Sequence, residues 1–165
     1  MLHTREAQPA DFSSIQQIAH TTWPVTFGHI LSPDQIAYML NMMYSTEALT
    51  GQVNNKQHRF IIASENDTDL GYISYELNYK QQPKTKVHKI YILPAAQGKG
   101  VGKVLMQQVA AIATNAGNTG LLLNVNRDNN AVQFYEKTGF EIIGKEDIDI
   151  GSGYLMEDYI MHKPL

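Results

Sequence analysis

Hydrophobic residues recur at three- and four-residue spacing in the first third of the chain and then give way to short runs with two-residue alternation. Helices are therefore expected first and strands next. Phe12, Ile15, Ile18 and Ala19 share one face of a helix over residues 11–20, and Trp23-Pro24 reads as its end because proline disfavours helical geometry in the residue before it. Ser32-Pro33-Asp34-Gln35 opens a second helix with a capping box and a proline at its first position, and Ile36, Met39, Leu40 and Met43 carry the apolar stripe toward Tyr44. Residues 45–49 add a turn, and residues 52–58 read as a polar connection.

A short strand over residues 2–6 precedes these helices. Strands over residues 59–64, 70–79 and 85–93 follow them as an antiparallel meander, joined through Asn66-Asp67-Thr68-Asp69 and through a loop holding Pro83. Val101, Val104, Leu105, Val109, Ile112 and Ala113 mark the next helix, which stops at Gly117, and residues 121–125 form a buried strand. A short helix capped by Asn129 or Asp128 sets Ala131, Phe134, Tyr135 and Thr138 on one face and ends at Gly139. Residues 140–150 and 154–161 pair across Gly151-Ser152-Gly153. This order predicts an α/β (α+β layered) fold with a mixed sheet, and 165 residues at 43% hydrophobic fit one domain over residues 1–165.

The stretch richest in chemistry is Gln97-Gly98-Lys99-Gly100-Val101-Gly102-Lys103, which links the strand ending near Leu93 to the helix beginning near Val101. Glycines let the backbone approach a ligand closely, so successive N–H groups can converge on anionic oxygens at a helix N-terminus. Two nucleotide-binding patterns fail on spacing. A P-loop sets its outer glycine five places before the next, yet Gly98 stands four before Gly102, and Lys103 is followed by Val104 rather than a hydroxyl residue. A dinucleotide fingerprint needs its third glycine where Lys103 stands.

The loop instead resembles the [QR]-x-x-G-x-[GA] element of the GNAT superfamily of N-acyltransferases, with Gln97, Gly100 and Gly102 at its fixed positions. Downstream, Asn129-Asn130-Ala131-Val132-Gln133-Phe134-Tyr135-Glu136-Lys137-Thr138-Gly139-Phe140 resembles the N-x-A-x-x-F-Y-x-K-x-G-F signature of the same family. The resemblance implies a mostly antiparallel central sheet with helices on both faces. It also implies two neighbouring strands, residues 85–93 and 121–125, that splay to admit the arm of acetyl-coenzyme A. It places the pyrophosphate on Gln97, Gly98, Lys99, Gly100, Val101, Gly102 and Lys103, further coenzyme contacts at Asn129 and Lys137, an oxyanion-binding backbone N–H at Ile92 or Leu93, and a general acid at Tyr135 beside the coenzyme sulfur. A narrower resemblance, through residues 134–137 and 154–159, points to the bacterial branch that includes spermine/spermidine acetyltransferases.

Composition limits the rest. Thirteen basic against sixteen acidic residues give a net charge of −3, which argues against nucleic acid and suits a small cationic amine as partner. With no cysteine there is no thiol nucleophile, so the acyl group is expected to pass directly to the acceptor. Arg5, Glu6 and Asp11 stand where a secretory signal would need an apolar core, and no apolar stretch approaches membrane-spanning length, so neither a membrane nor export is expected and the location reads as cytoplasmic. Homodimerisation is left open.

His88, on the strand leading into the glycine loop, is the candidate general base, with Glu76 on the preceding strand. The six histidines include no pair closer than nine residues, so no metal site is expected. Trp23, Phe27, His29, Tyr38, Met42, Tyr44, Tyr75 and Tyr79 are the candidate walls of an acceptor pocket. The readings kept beside an amine acetyltransferase are a protein N-terminal or amino-acid acetyltransferase and a non-catalytic acyl-coenzyme A-binding regulatory module.

Overall fold

The computed structural model describes all 165 residues. In chain order the strands and helices are β1 His3–Glu6, α1 Phe12–Phe27, α2 Pro33–Tyr44, α3 Thr46–Asn55, β2 Arg59–Glu65, β3 Thr68–Glu76, β4 Lys84–Ile92, α4 Val101–Asn115, β5 Gly120–Asn126, α5 Ala131–Lys137, β6 Glu141–Gly151 and β7 Tyr154–Pro164. The strands form one seven-stranded sheet in the order β1-β2-β3-β4-β5-β7-β6. Every neighbouring pair is antiparallel except β4 and β5.

Strand alternation divides the core in two. Phe60, Ile62 and Tyr72 face α1, α2 and α3, while Ile61, Ala63 and Ile73 face α4 and α5 together with Val87, Leu121 and Leu123. Helices thus cover both faces, as the resemblance implied.

Two expectations about the helices are corrected. Helix α1 does not stop at Trp23-Pro24 but runs on to Phe27, with Pro24 inside it. An interior proline costs about 3 kcal/mol. The extra turn buries Trp23 and Phe27, at 1% and 4% exposure, with their rings 4.6 Å apart, and burial of two such side chains is worth roughly 1.5–3 kcal/mol each. Residues 45–55 are likewise a third helix rather than a turn and a connection. Ser45 caps it by accepting from the Ala48 N–H at 3.1 Å, and its buried Gln52 donates to the Met43 carbonyl at 2.9 Å. Strand β3 ends at Glu76, short of residue 79, because Asn78 takes a left-handed backbone with φ 54°.

The register at β4 positions the site. Ser74 pairs with Lys89 and Tyr75 with Val87, so His88 is an extra residue bulged out of the ladder. Beyond it, β4 keeps β3 as partner up to Gly71–Ile92, and β5 keeps β7 up to Asn126–Asp158, yet β4 and β5 pair only from Lys84–Gly120 to Val87–Leu123. Past that point the two strands part. The bulge is a local cause, since an inserted residue bends a strand and increases its twist.

Candidate active site

The opening between β4 and β5 is the throat of a cleft of about 1010 Å³. Its donor side is built largely from backbone. Gly98 and Gly100 have φ values of 83° and 78°, and at both positions an added Cβ would meet nothing within 4 Å, so conformation rather than crowding calls for glycine there. Gly100 caps α4, whose first internal bond runs from the Val104 N–H to the Gly100 carbonyl at 3.0 Å. The N–H groups of Val101, Gly102 and Lys103 precede that bond and have no carbonyl within the helix. Gly102 answers a different need: a Cβ there would lie 3.3 Å from the Ile92 side chain.

Gln97, Gly98, Gly100, Val101, Gly102 and Lys103 all line the cleft. Lys99 does not; its ammonium pairs with Glu65 at 3.3 Å. Ile92 also lines the cleft. Leu93, its alternative as oxyanion donor, does not, and its N–H is already engaged by the Leu70 carbonyl at 2.8 Å. Alternation along an antiparallel ladder then turns the Ile92 N–H away from β3, toward the opening.

Tyr135 on α5 borders the same cleft and is 8% exposed, packed against Phe140 with ring centroids 5.7 Å apart. Burial holds its phenol well above the ordinary tyrosine value, so the proton is present at neutral pH. Asn129 borders the cleft and accepts from the Ala131 N–H at 2.9 Å, fixing the start of α5. Lys137 lies off the cleft wall. Phe134, expected to share the buried face with Tyr135, is 47% exposed and lines the cleft instead, because α5 is only two turns long and buries chiefly Val132 and Tyr135.

The acceptor side is assembled from distant segments. Trp23, Phe27 and His29 close it from α1 and the turn after it, and Met39, Met42 and Met43 from α2. The far half of the β6–β7 hairpin closes it opposite, through Ile148, Ile150 and Met156. Tyr38 ties the two walls together by donating to the Ile150 carbonyl at 2.8 Å. Tyr79 also lines the cleft, whereas Tyr44 and Tyr75 belong to the buried cores.

His88 has chemistry unlike that expected of it. Its ring stacks on His58 with centroids 3.9 Å apart, and its Nε2 lies 3.0 Å from Glu76 Oε1. Burial, reinforced by His58, Lys86 and Lys89, pushes its pKa down to about 2. A neutral imidazole so reluctant to accept a proton is a poor base for an ammonium ion.

The same contacts bring together His58, Glu76 and His88, whose ligand atoms lie within 4.8 Å of one another. Histidines and a carboxylate are zinc-type ligands. Burial first, with Lys89 adding to it in both and Lys86 in His88, keeps the two imidazoles neutral.

Comparison with known proteins matches this geometry to a class. Residues 29–155 match the family model described as "Acetyltransferase (GNAT) domain". The chain belongs to that family and is an acetyl-coenzyme A-dependent N-acetyltransferase. It is 27% identical over 161 residues to the spermidine N(1)-acetyltransferase of Thermoplasma acidophilum, covering 94% of this chain and 96% of that one. An uncharacterized N-acetyltransferase of Mycobacterium tuberculosis is 27% identical over 156 residues, 94% of this chain and 98% of the relative. Among solved structures, the PaiA N-acetyltransferase of Thermoplasma acidophilum in complex with coenzyme A superposes with a TM-score of 0.84 at 25% identity, over 100% of this chain and 99% of that one. A GCN5-related N-acetyltransferase from Rhodopseudomonas palustris also reaches 0.84, at 19% identity over 99% of this chain and 95% of that one, a likeness of fold.

Proposed function

We propose that this enzyme acetylates a small polycationic amine of the spermidine type. The observation that carries the reading is the floor of the acceptor side. On the face opposite α4 and α5, Glu146 of β6 stands directly across from Asp158 of β7, and both line the cleft. Around this carboxylate pair the walls are Met39, Met43, Ile148 and Met156. Alternating charge and methylene chain in a polyamine matches carboxylates set among apolar side chains, and focused negative potential raises the local concentration of a polycation. The spermidine-acetylating relative, matched along nearly its whole length, supports the same class.

In this reading the N–H groups at the start of α4 take the pyrophosphate of acetyl-coenzyme A, with Lys103 beside them. The thioester lies in the opening between β4 and β5. The Ile92 N–H steadies the carbonyl oxygen as it gains negative charge, and preorganised donors of this kind are worth roughly 3–4 kcal/mol in related chemistry. Tyr135 returns a proton to the departing thiolate. Holding amine and thioester side by side supplies much of the remaining acceleration.

An amine panel with free-thiol detection tests the acceptor. Spermidine should give the highest kcat/KM, and added salt should raise its KM by screening. A panel in which spermidine is inert while a peptide N-terminus or an amino acid turns over would refute the acceptor class.

A further inference from the structure

We propose that Asp158 is the general base of the transfer, taking the proton from the acceptor ammonium on the floor of the cleft. The inference rests on the proposed amine acetylation and deepens it, because it names the group that makes the nitrogen nucleophilic.

The geometry is that of a carboxylate kept without a partner. Asp158 is 6% exposed, and its Oδ1 is buried with no hydrogen-bond donor. Its Oδ2 has only a long contact, 3.4 Å, from Asn124 Nδ2. Two cations stand near, and both are held elsewhere. Lys86 of β4 donates to Asn124 Oδ1, and the Arg127 guanidinium pairs with Asp147, while its Nε reaches only the Asp158 backbone carbonyl at 3.4 Å. A buried carboxylate is normally paired, so one left unpaired in a cleft wall calls for a ligand that brings donors, as an ammonium does.

Its place relative to the chemistry is equally specific. Asp158 lies across from Asn126 at the end of β5 where β4 has parted from it, so the carboxylate flanks the opening assigned to the thioester. Tyr135 packs with the core on the α4–α5 face, whereas Asp158 shares the phase of Met156 on the other face of β7, so the proposed acid and base flank the opening from opposite faces of the sheet. The groups facing Asp158 are Asn124 from β5, Lys86 and Tyr91 from β4, Glu146 from β6 and Arg127 from the segment after β5. Burial first, with Glu146 adding to it, raises the Asp158 pKa against the pull of Asn124, Lys86 and Arg127. A carboxylate so raised is a better proton acceptor than an ordinary one.

The proton balance closes. One ammonium proton passes to Asp158; the neutral nitrogen attacks the thioester carbon, forming C–N as C–S breaks. The thiolate takes the Tyr135 proton. The second proton lost by nitrogen restores Tyr135, and Asp158 releases its own to solvent.

The test uses the full chain, acetyl-coenzyme A and two amines: spermidine, which is ammonium at neutral pH, and trifluoroethylamine, whose nitrogen is already free. Asp158→Asn is checked first for coenzyme affinity and thermal midpoint. It is expected to lose about 10²-fold or more of kcat with spermidine. That loss should shrink as pH rises toward an alkylammonium pKa of about 10. With trifluoroethylamine the loss should stay within a few-fold. The wild type gains activity as pH rises through the Asp158 pKa and then levels, an acid limb that the Asn variant lacks. Asp158→Glu keeps the carboxylate and should keep the wild-type profile at reduced rate; this variant decides the matter if Asn does not fold. An Asn variant equally impaired with both amines, or one whose profile parallels the wild type, overturns the assignment, as does a Glu variant without the acid limb. A wild type silent with both amines overturns the amine reading and this inference together; a wild type that works while the Asn variant works as well overturns this inference alone.

Discussion

The two sides of the cleft are built on opposite plans. The donor side comes from one contiguous stretch, residues 97–103, in which backbone N–H groups and two left-handed glycines supply the recognition. The acceptor side draws on α1, α2, β4, β5 and the β6–β7 hairpin, and recognition there falls to side chains held by long-range pairing. Backbone chemistry constrains sequence tightly, because few residues tolerate the required dihedrals. Side-chain chemistry leaves the sequence free to change its acceptor while the donor stays fixed.

That contrast is broken most severely at the donor loop. Gly100→Val places a β-branched residue at φ 78°, where non-glycine backbone costs roughly 1–2 kcal/mol, and turns the N–H groups that follow it. Acetyl-coenzyme A affinity, read by calorimetry, should fall about 10²-fold while circular dichroism stays unchanged. A folded variant with wild-type affinity would show that the loop does not hold the coenzyme. Next in size is Tyr135→Phe, which keeps the ring against Phe140 and removes only the phenolic proton. We expect kcat at saturation to fall about 10–10²-fold, with coenzyme affinity within twofold, by steady-state kinetics and equilibrium binding. Equal turnover at every pH would leave Tyr135 a packing residue. The smallest effect belongs to the acceptor wall. Tyr38→Phe removes the bond to the Ile150 carbonyl and with it about 1 kcal/mol. It should raise the acceptor KM several-fold without touching coenzyme affinity, and a change confined to the coenzyme would erase the division between the two sides.

The sequence disclosed these sides unequally, for the same reason. Glycine spacing and the Tyr135 segment announce the donor loop and α5 because both are local. The meander, the α4 stop at Gly117 and the final hairpin are also legible from alternation and turn residues. Pro24 misleads because a proline signal is local, whereas the burial of Trp23 and Phe27 that overrides it is tertiary. Helix α3 hides because Gln52, which looks exposed on paper, is buried and bonded to Met43 and Lys89. The bulge at His88 depends on pairing with β3 and has no signature within β4. Asp158 did leave a trace. Tyr154, Met156, Asp158 and Ile160 fall in one phase of β7, so a carboxylate occupies a position among larger, less polar residues, but only the register with β5 and β6 shows what lies opposite.

The parting of β4 from β5 has a consequence for solubility as well as for catalysis. A strand edge with free N–H and C=O groups is a template for joining another polypeptide, and proteins usually blunt such edges with charge, proline or a covering loop. Here the two edges made by the split face each other across the throat of a cleft, with α4 and α5 on one side and the β6–β7 hairpin on the other. Another sheet is too broad to enter, whereas a slender molecule with its own amide groups is not. The fold thus keeps the stickiest part of a β-sheet exposed to its substrate while shielding it from its neighbours.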